Sequence, residues 1–91
     1  MQQTISIIIS GKVQGVFFRQ STKEQANRAG IGGEVRNTAD GKVAIIATGT
    51  QVQLDELITW CRQGPPRAKV TGVDVTNLPL QSFDEFRIIR S

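Results

Sequence analysis

Apolar and polar residues alternate near the start of the chain, and two similar stretches follow in its middle. In TISIIIS, Ile5, Ile7 and Ile9 fall on one face and mainly Thr and Ser on the other, which is the two-residue period of a half-buried strand. The stretches GEVRNT and KVAIIAT flank Asp40 and Gly41, a pair that favours a hairpin turn because glycine adopts positive φ without strain. We therefore predict a first strand, followed later by a second and a third that form a hairpin.

Two other segments carry the signals of helices. Ser21 and Glu24 match a capping box, which predicts a first helix that starts at Ser21, and Gly30 is placed to end it. Thr50 and Gln53 match a second capping box. One apolar face follows at the i, i+3, i+4, i+7 spacing of a buried helix and comprises Leu54, Leu57, Ile58 and Cys61. The Gly-Pro-Pro sequence after this face predicts the end of the second helix.

The last third of the chain completes the predicted fold. AKVTGVDVT predicts a fourth strand whose phase is interrupted at Gly72, as by a β-bulge, and FDEFRIIR predicts a last strand. The order strand, helix, strand, hairpin, strand, helix, strand indicates an α+β fold, the ferredoxin-like split β-α-β sandwich. We expect an antiparallel sheet of four to five strands with both helices on one face, and a single domain over residues 1–91.

The connection between the first strand and the first helix, GKVQGVFFRQS, is suited to hold a phosphate. N–H groups at a helix N-terminus lack intrahelical partners, and the helix dipole is positive there. Gly15 lets the backbone approach a ligand, Val16 and Phe18 can anchor the loop, and Arg19 adds a guanidinium that matches two phosphate oxygens. From spacing alone, an alternative stays open in which Gly15 only turns the chain and Arg19 is solvated. A nucleotide P-loop is disfavoured because valine, not Ser or Thr, follows Gly11-Lys12.

Three stretches of the sequence, GKVQGVFFR, GEVRNTADGKV and GPPRAKV, together closely resemble the acylphosphatase family. The resemblance extends from Ile5 to about Ile89. It implies a small ferredoxin-like enzyme that hydrolyses acyl phosphates, the mixed anhydrides of a carboxylic acid and phosphate, to a carboxylate and inorganic phosphate. It also implies a small-molecule acyl phosphate as the substrate, and inorganic phosphate as both product and inhibitor.

The resemblance further implies roles for individual residues. Arg19 matches the family's phosphate-binding arginine and Asn37 matches the residue that orients the attacking water, so these two are the expected catalytic residues. The expected phosphate-binding residues are Gln14, Gly15, Val16, Phe17, Phe18 and Arg19. Thr38 matches a neighbour that supports the turn. From residue type alone, the simpler interpretation of Asn37 is that it opens the hairpin turn, a common use of asparagine.

Two residues depart from the family's pattern. Glu34 stands where the family commonly has an aromatic residue, and Phe17 stands where it commonly has a small one. Glu34 would weaken the attraction of an anionic substrate if its side chain faced the site, and Phe17 would narrow the mouth of the site. Neither position is catalytic, so we expect the activity to be retained.

The composition excludes several mechanisms. The chain has no histidine and one cysteine, which excludes a Ser-His or Cys-His nucleophile and a His-rich metal site. Cys61 lies on the apolar face of the second helix, where we expect a buried thiol, and Trp60 is expected to cover the edge of the core. We expect no metal and no cofactor. Covalent catalysis also has no good candidate residue, which fits an acyl phosphate because its carboxylate leaves readily. No side chain is an evident base, so we hypothesise that the phosphate itself accepts the water's proton.

Charge and hydropathy limit the kinds of partner and the cellular location that we expect for this protein. The net charge of +3 favours an anionic partner, but the basic residues are spread along the chain without a polybasic tract. The longest apolar run is VAIIA, and MQQTISIIIS lacks a basic leader, so we expect a soluble protein without a membrane partner. A single cysteine suits a reducing compartment, and we expect a cytoplasmic monomer. The pattern around Arg87 and Arg90 assigns neither residue to a face.

Two other classes of function compete with this prediction. RNA-recognition domains with this type of sheet stack bases on aromatic residues of their central strands, whereas KVAIIAT has no aromatic residue and the chain has no tyrosine. We therefore expect no nucleic-acid partner. A binding domain without turnover is the other alternative, since a fold alone does not determine function. The presence of both Arg19 and Asn37 argues against it.

Overall fold

The computed structural model describes residues 1–90 of the chain. Its elements follow the predicted order of two β-α-β halves joined by a hairpin, which confirms the ferredoxin-like α+β fold. The elements are β1 (Gln2–Lys12), α1 (Phe18–Ala29), β2 (Gly32–Asn37), β3 (Val43–Thr50), α2 (Gln51–Gln63), β4 (Lys69–Leu78) and β5 (Phe86–Ile88). In this part of the chain, neither helix is long and apolar enough to cross a membrane.

The five strands form one mixed sheet in the order β4-β1-β3-β2-β5. β1 pairs antiparallel with β3 and β4, and β2 pairs antiparallel with β3, but β5 pairs parallel with β2. The prediction of a wholly antiparallel sheet is therefore wrong at one edge. After β4 the chain reverses direction and crosses to the opposite edge. Because β2 also runs opposite to β4, the last strand lies parallel to β2.

Residues 79–85 make this crossing over the face of the sheet that lies away from the helices. Gln81 anchors the segment, because its N–H donates to Thr4 Oγ1 at 2.9 Å and its carbonyl oxygen accepts from Thr48 Oγ1 at 2.9 Å. The two threonine hydroxyl oxygens are 2.6 Å apart, and both residues are buried. The polar face predicted for β1 is thus covered by the chain itself at this end of the sheet.

The hydrophobic core lies between the sheet and the two helices. The three isoleucines predicted to face inward from β1 are at most 4% exposed. The predicted face of α2 is confirmed for Leu54, Leu57 and Cys61, while Ile58 is partly buried against the core. Phe86 of β5 closes the far edge and is 1% exposed. Burial of one such large apolar side chain stabilises a fold by about 1.5–3 kcal/mol, so the core fixes how the helices sit on the sheet.

Cys61 and Trp60 take the structural roles that the sequence predicts. Burial raises the pKa of the Cys61 thiol to about 12, so the thiol stays protonated and unreactive near neutral pH. The ring of Trp60 packs edge-to-face against Phe18 with 5.4 Å between the ring centroids. This contact ties the first residue of α1 to α2 and holds the beginning of α1 in place.

The two helices begin in different ways. At α2 the predicted capping box is present: the Thr50 hydroxyl accepts from the Gln53 N–H at 3.2 Å, and the Gln53 side chain accepts from the Thr50 N–H at 2.8 Å. At α1 the predicted start is wrong, because Ser21 lies inside the helix and its N–H donates to the Phe17 carbonyl at 3.0 Å. α1 has no side-chain cap and begins after Phe17, which is left-handed with a φ of 65°. Gly30 ends it as predicted, with a φ of 77°.

The predicted bulge is present where β1 pairs with β4. Ser10 pairs with Gly72 and Gly11 pairs with Val70, so the register shifts and β4 carries one extra residue. A Cβ atom at Gly11 would overlap the carbonyl group of Lys69. The close approach of the two strands here therefore requires glycine.

Candidate active site

The loop between β1 and α1, residues 13–17, is held by side chains that enter the core. Val13 and Val16 within the loop, and Phe18 directly after it, are each at most 4% exposed. The prediction that Val16 and Phe18 anchor the loop is confirmed. Three buried anchors in so short a segment leave its backbone little freedom, which preserves its shape for a ligand.

The backbone of this loop leaves several N–H groups without partners. Gly15 and Phe17 are both left-handed, with φ values of 73° and 65°. Within residues 1–90, no N–H of residues 14–17 donates to a protein acceptor, and the first turn of α1 has no side-chain cap. Loops that combine left-handed residues with a following helix N-terminus form concavities in which free N–H groups favour an anion.

A cleft of about 300 Å³ opens beside this loop. Residues from α1, β2 and the segment after β5 complete its wall. The lining residues are Val13, Gly15, Phe17, Phe18, Arg19, Gln20, Asn37 and Arg90. Arg19 and Asn37, which lie on different elements, are thus brought to one cleft. Of the other predicted site residues, Gln14, Val16 and Thr38 do not line it.

Arg19 supplies a positive charge to the cleft from the second position of α1. Its side chain is half-buried. In the described part of the chain, the one ion pair joins Lys42 and Asp40 at 3.9 Å, so no carboxylate there pairs with Arg19. A guanidinium carries a permanent charge and a planar fork of donors that matches phosphate oxygens.

Asn37 approaches the cleft from the end of β2. Side chains two residues apart share a face of a strand, and Val35 is fully buried in the core, so Asn37 points to the side of the sheet that carries the helices. Its amide offers both a donor and an acceptor. This combination can hold a water molecule and also contact an oxygen of a bound ligand.

The Gln14 side chain fastens the loop to the β2-β3 hairpin. Its amide nitrogen donates to the carbonyl oxygens of Thr38 and Lys42, each at 2.8 Å. The resemblance assigned Gln14 to the phosphate-binding backbone, and no sequence signal indicated this second role of its side chain. The contact holds the element that bears Asn37 at a fixed distance from the loop that precedes Arg19.

Thr38 organises the hairpin turn itself. Its hydroxyl accepts from the Lys42 N–H at 3.0 Å and donates to the Asp40 carboxylate, while its own N–H donates to the Lys42 carbonyl at 2.9 Å. The hydrogen bond from Thr38 and the charge of Lys42 hold the pKa of Asp40 below its ordinary value, against a smaller opposing effect of desolvation. The turn next to Asn37 is therefore well ordered, in keeping with the supporting position given to Thr38.

The structure places the two departures from the family's pattern differently. Glu34 and Asn37 lie at positions of opposite parity on β2, so the Glu34 side chain projects from the face away from the helices, and it does not line the cleft. Phe17 lines the mouth of the cleft and is 73% exposed. Arg90 was not predicted as a site residue, because the alternation in FDEFRIIR is irregular and β5 pairs only with a distant strand.

The described residues offer no set of metal ligands. Among residues 1–90, no three side chains of His, Cys, Asp or Glu gather at one point. The charged side chains that line the cleft are both arginines. The cleft therefore presents positive charge and N–H donors, which suits an anionic ligand.

Comparisons with known proteins agree on one family. The family model named Acylphosphatase matches residues 5–88. An acylphosphatase of Rubrobacter xylanophilus is 49% identical over 75 residues, which cover 82% of this chain and 68% of that protein. An acylphosphatase of Alkalilimnicola ehrlichii is 44% identical over 89 residues, which cover 98% of this chain and 100% of that protein.

A solved structure extends the similarity to the whole fold. The crystal structure of the acylphosphatase from Bacillus subtilis matches with a TM-score of 0.94 at 34% sequence identity. The match covers 99% of this chain and 100% of that chain. Sequence and structure are thus similar to acylphosphatases over nearly the full length of the chain.

Proposed function

The chain belongs to the acylphosphatase family and hydrolyses acyl phosphates, and we propose that it does so through Arg19, Asn37 and the loop of residues 14–18. The observation that carries this mechanism is that Arg19 and Asn37, from different elements, line one cleft beside N–H groups that lack partners. The substrate is a small-molecule acyl phosphate.

In this proposal the loop and Arg19 bind the phosphoryl group. The N–H groups of the loop residues and of the first turn of α1 donate to its oxygens, and Arg19 neutralises charge on them. The phosphate-binding residues are Gln14, Gly15, Val16, Phe17, Phe18 and Arg19, with the first five acting through their backbone. Donors fixed in advance of the reaction typically contribute about 3–4 kcal/mol each to a transition state. Buried Val16 and Phe18 fix them here.

Asn37 positions the water that attacks phosphorus. The water oxygen forms a bond to phosphorus while the bond from phosphorus to the acyl oxygen breaks, and the carboxylate leaves with that electron pair. The proton that the water loses goes to a phosphoryl oxygen, so no basic side chain is required. Because the carboxylate is a weak base, it needs no general acid. Positioning the water converts a collision into an oriented reaction, and Thr38 supports Asn37 by ordering the turn beside it.

Hydrolysis of benzoyl phosphate by purified protein tests the proposed site. We expect Arg19→Ala to lower kcat/KM by roughly a hundredfold to a thousandfold, as for loss of a preorganised charge-stabilising donor. Inorganic phosphate should inhibit the wild-type protein competitively and should inhibit this variant more weakly. Arg36→Ala is the matched control, since Arg36 is exposed and lies outside the cleft. Wild-type kcat/KM in Arg19→Ala would rule out the assigned role.

We also propose that residues 1–91 act as one domain, as a monomer in the cytoplasm. Both helices and all strands except β4 contribute to one cluster of buried residues, and β4 packs against it, which supports a single folding unit. The one cysteine is a buried free thiol, which suits a reducing compartment. Light scattering after size-exclusion chromatography should give a mass of 10.0 kDa, and a dimer mass would contradict the monomer.

A further inference from the structure

Arg90 lines the same cleft as Arg19 and Asn37, from the segment that follows β5. We propose that Arg90 is a second phosphate-binding cation, whose guanidinium contacts the phosphoryl oxygens on the side of the cleft formed by Asn37. This inference rests on the proposed function, which places the phosphoryl group in this cleft. It makes the wall formed by the end of β2 and the segment after β5 part of the anion site.

The backbone next to β2 determines where Arg90 lies. In the parallel pairing of β2 with β5, Val35 is opposite Ile88, and the Ile89 N–H donates to the Val35 carbonyl oxygen at 2.8 Å. Continuation of this register places Arg90 beside Asn37. Phe86, four residues earlier on the same face, is buried under the helices, so the alternation of an extended chain directs Arg90 to the side of the sheet where Asn37 lies.

The charges in the cleft indicate what Arg90 binds. Arg19 and Arg90 are the charged residues that line it, and among residues 1–90 no carboxylate forms an ion pair with either. Two guanidinium groups in one cleft repel each other, and an anion with more than one charge relieves this repulsion. A phosphoryl monoester carries roughly −1.5 to −2 charges at neutral pH. One arginine balances the first negative charge of the phosphoryl group, and the second arginine balances the remaining charge.

The geometry of the reaction favours the phosphoryl group over the acyl group as the partner of Arg90. The water held by Asn37 attacks phosphorus from the side opposite the leaving carboxylate. The acyl group therefore points away from the wall that Asn37 and Arg90 share. From this wall, the long arginine side chain reaches the phosphoryl oxygens, and its fork of donors suits two of them.

Direct binding of inorganic phosphate tests the inference without relying on turnover. The variant is Arg90→Gln. The control is Arg87→Gln, because Arg87 lies on β5 itself, is exposed and does not line the cleft. Both substitutions lower the net charge equally. Calorimetric titration at about pH 8 and about pH 5.5 compares the phosphate dianion with the monoanion, since the last proton of phosphate groups dissociates between these values.

We expect Arg90→Gln to weaken dianion binding roughly five- to tenfold, within the range for a charge-assisted hydrogen bond at an open site. Binding of the monoanion should weaken about twofold or less, since Arg19 alone matches one charge. Arg87→Gln should bind both forms like the wild type. Arg90→Lys should recover part of the dianion affinity, because it restores the charge without the planar fork.

Three results would overturn the inference. Arg90→Gln could bind phosphate like the wild type, both variants could lose affinity equally, or Arg90→Gln could lose the same factor at both pH values, as when the segment after β5 only loosens. Kinetics separate this inference from the proposed function. Dianion binding that depends on Arg90 without benzoyl phosphate hydrolysis would refute the function and support the inference. Hydrolysis of benzoyl phosphate by the wild type, combined with unchanged phosphate binding in Arg90→Gln, would support the function and refute the inference.

Discussion

The amide nitrogen of Gln14 lies 2.8 Å from the carbonyl oxygen of Thr38, which connects the loop before α1 to the hairpin after β2. The same nitrogen also donates to the Lys42 carbonyl. Arg19 and Asn37 stand at the ends of the two segments that Gln14 joins. One side chain that touches neither of them in any described hydrogen bond therefore helps to fix their relative position, and this contribution can be measured.

Replacement of Gln14 should reduce turnover more than stability. The carbonyl oxygens of Thr38 and Lys42 each keep a backbone donor, so Gln14→Ala should lower the free energy of unfolding by only about 1 kcal/mol. We expect kcat to fall roughly tenfold or more, because small displacements of positioned groups are costly to rate. Inhibition by phosphate should weaken less than kcat falls. Urea unfolding and benzoyl phosphate kinetics check both parts, and a loss of stability without a loss of kcat would contradict the positioning role.

Replacement of Asn37 should abolish most activity while leaving the fold intact. Asn37→Ala removes the amide that holds the water, so kcat should fall by about two orders of magnitude or more. Its side chain is only half-buried, so the midpoint of urea unfolding should change little. Phosphate should still inhibit, because the loop and the arginines remain. Near wild-type turnover in this variant would show that the water is placed by another group.

At Phe17, replacement by glycine should give a more stable protein than replacement by alanine, which is the reverse of the usual order of stability. Phe17 is left-handed, and its ring is 73% exposed, so neither replacement removes much burial. A positive φ is unfavourable for alanine but not for glycine. The free energy of unfolding should therefore be about 1 kcal/mol higher for the glycine variant than for the alanine variant. We therefore expect Phe17→Gly to unfold at a higher urea concentration than Phe17→Ala. An equal or more stable alanine variant would mean that the loop relaxes to a negative φ.

Stability should fall at alkaline pH partly through Cys61. Burial raises the pKa of this thiol from 9.0 in the unfolded chain to about 12 in the fold. The unfolded state therefore loses a proton first, and the contribution of Cys61 is complete below about pH 9 and is lost as the pH rises toward 12. Cys61→Ala should be less stable than the wild type at pH 7, with the difference shrinking above pH 9. Urea unfolding measures the free energy of unfolding of both proteins between pH 7 and pH 12. A difference between the wild type and Cys61→Ala that stays constant over this range would contradict the raised pKa.

The sequence predicts those features of the fold that depend on neighbouring residues. The capping box of Thr50 and Gln53, the end of α1 at Gly30 and the alternation in β1 are local, and the structure confirms them. Ser21 carried an equally good capping signal and lies inside α1. There the left-handed Phe17 and the packing of Phe18 set the start of the helix, and both depend on tertiary contacts.

The site residues that belong to a sequence motif could be predicted, whereas those that depend on the order and direction of the strands could not. The motif around Gly15 and Arg19, together with Asn37, identifies residues that the structure brings to one cleft. The direction of β5 is decided by a crossing of the whole sheet, which no local pattern reports. The crossing brings β5, and with it Arg90, to the edge of the sheet next to β2. The position of Arg90 in the cleft therefore could not be predicted from local sequence. The second role of Gln14 likewise depends on a contact with a distant turn.

The crossing segment over Thr4 and Thr48 also has a consequence for how the cleft is completed. β5 pairs with a strand from the other half of the chain through only three residues, so few backbone hydrogen bonds offset the entropy cost of closing that part of the chain. The wall that bears Arg90 is therefore held to the sheet by the shortest pairing among the described strands. The buried side chain of Phe86 adds to the hold of these few backbone pairs, so the position of Arg90 beside Asn37 depends on core packing as well as on the strand pairing.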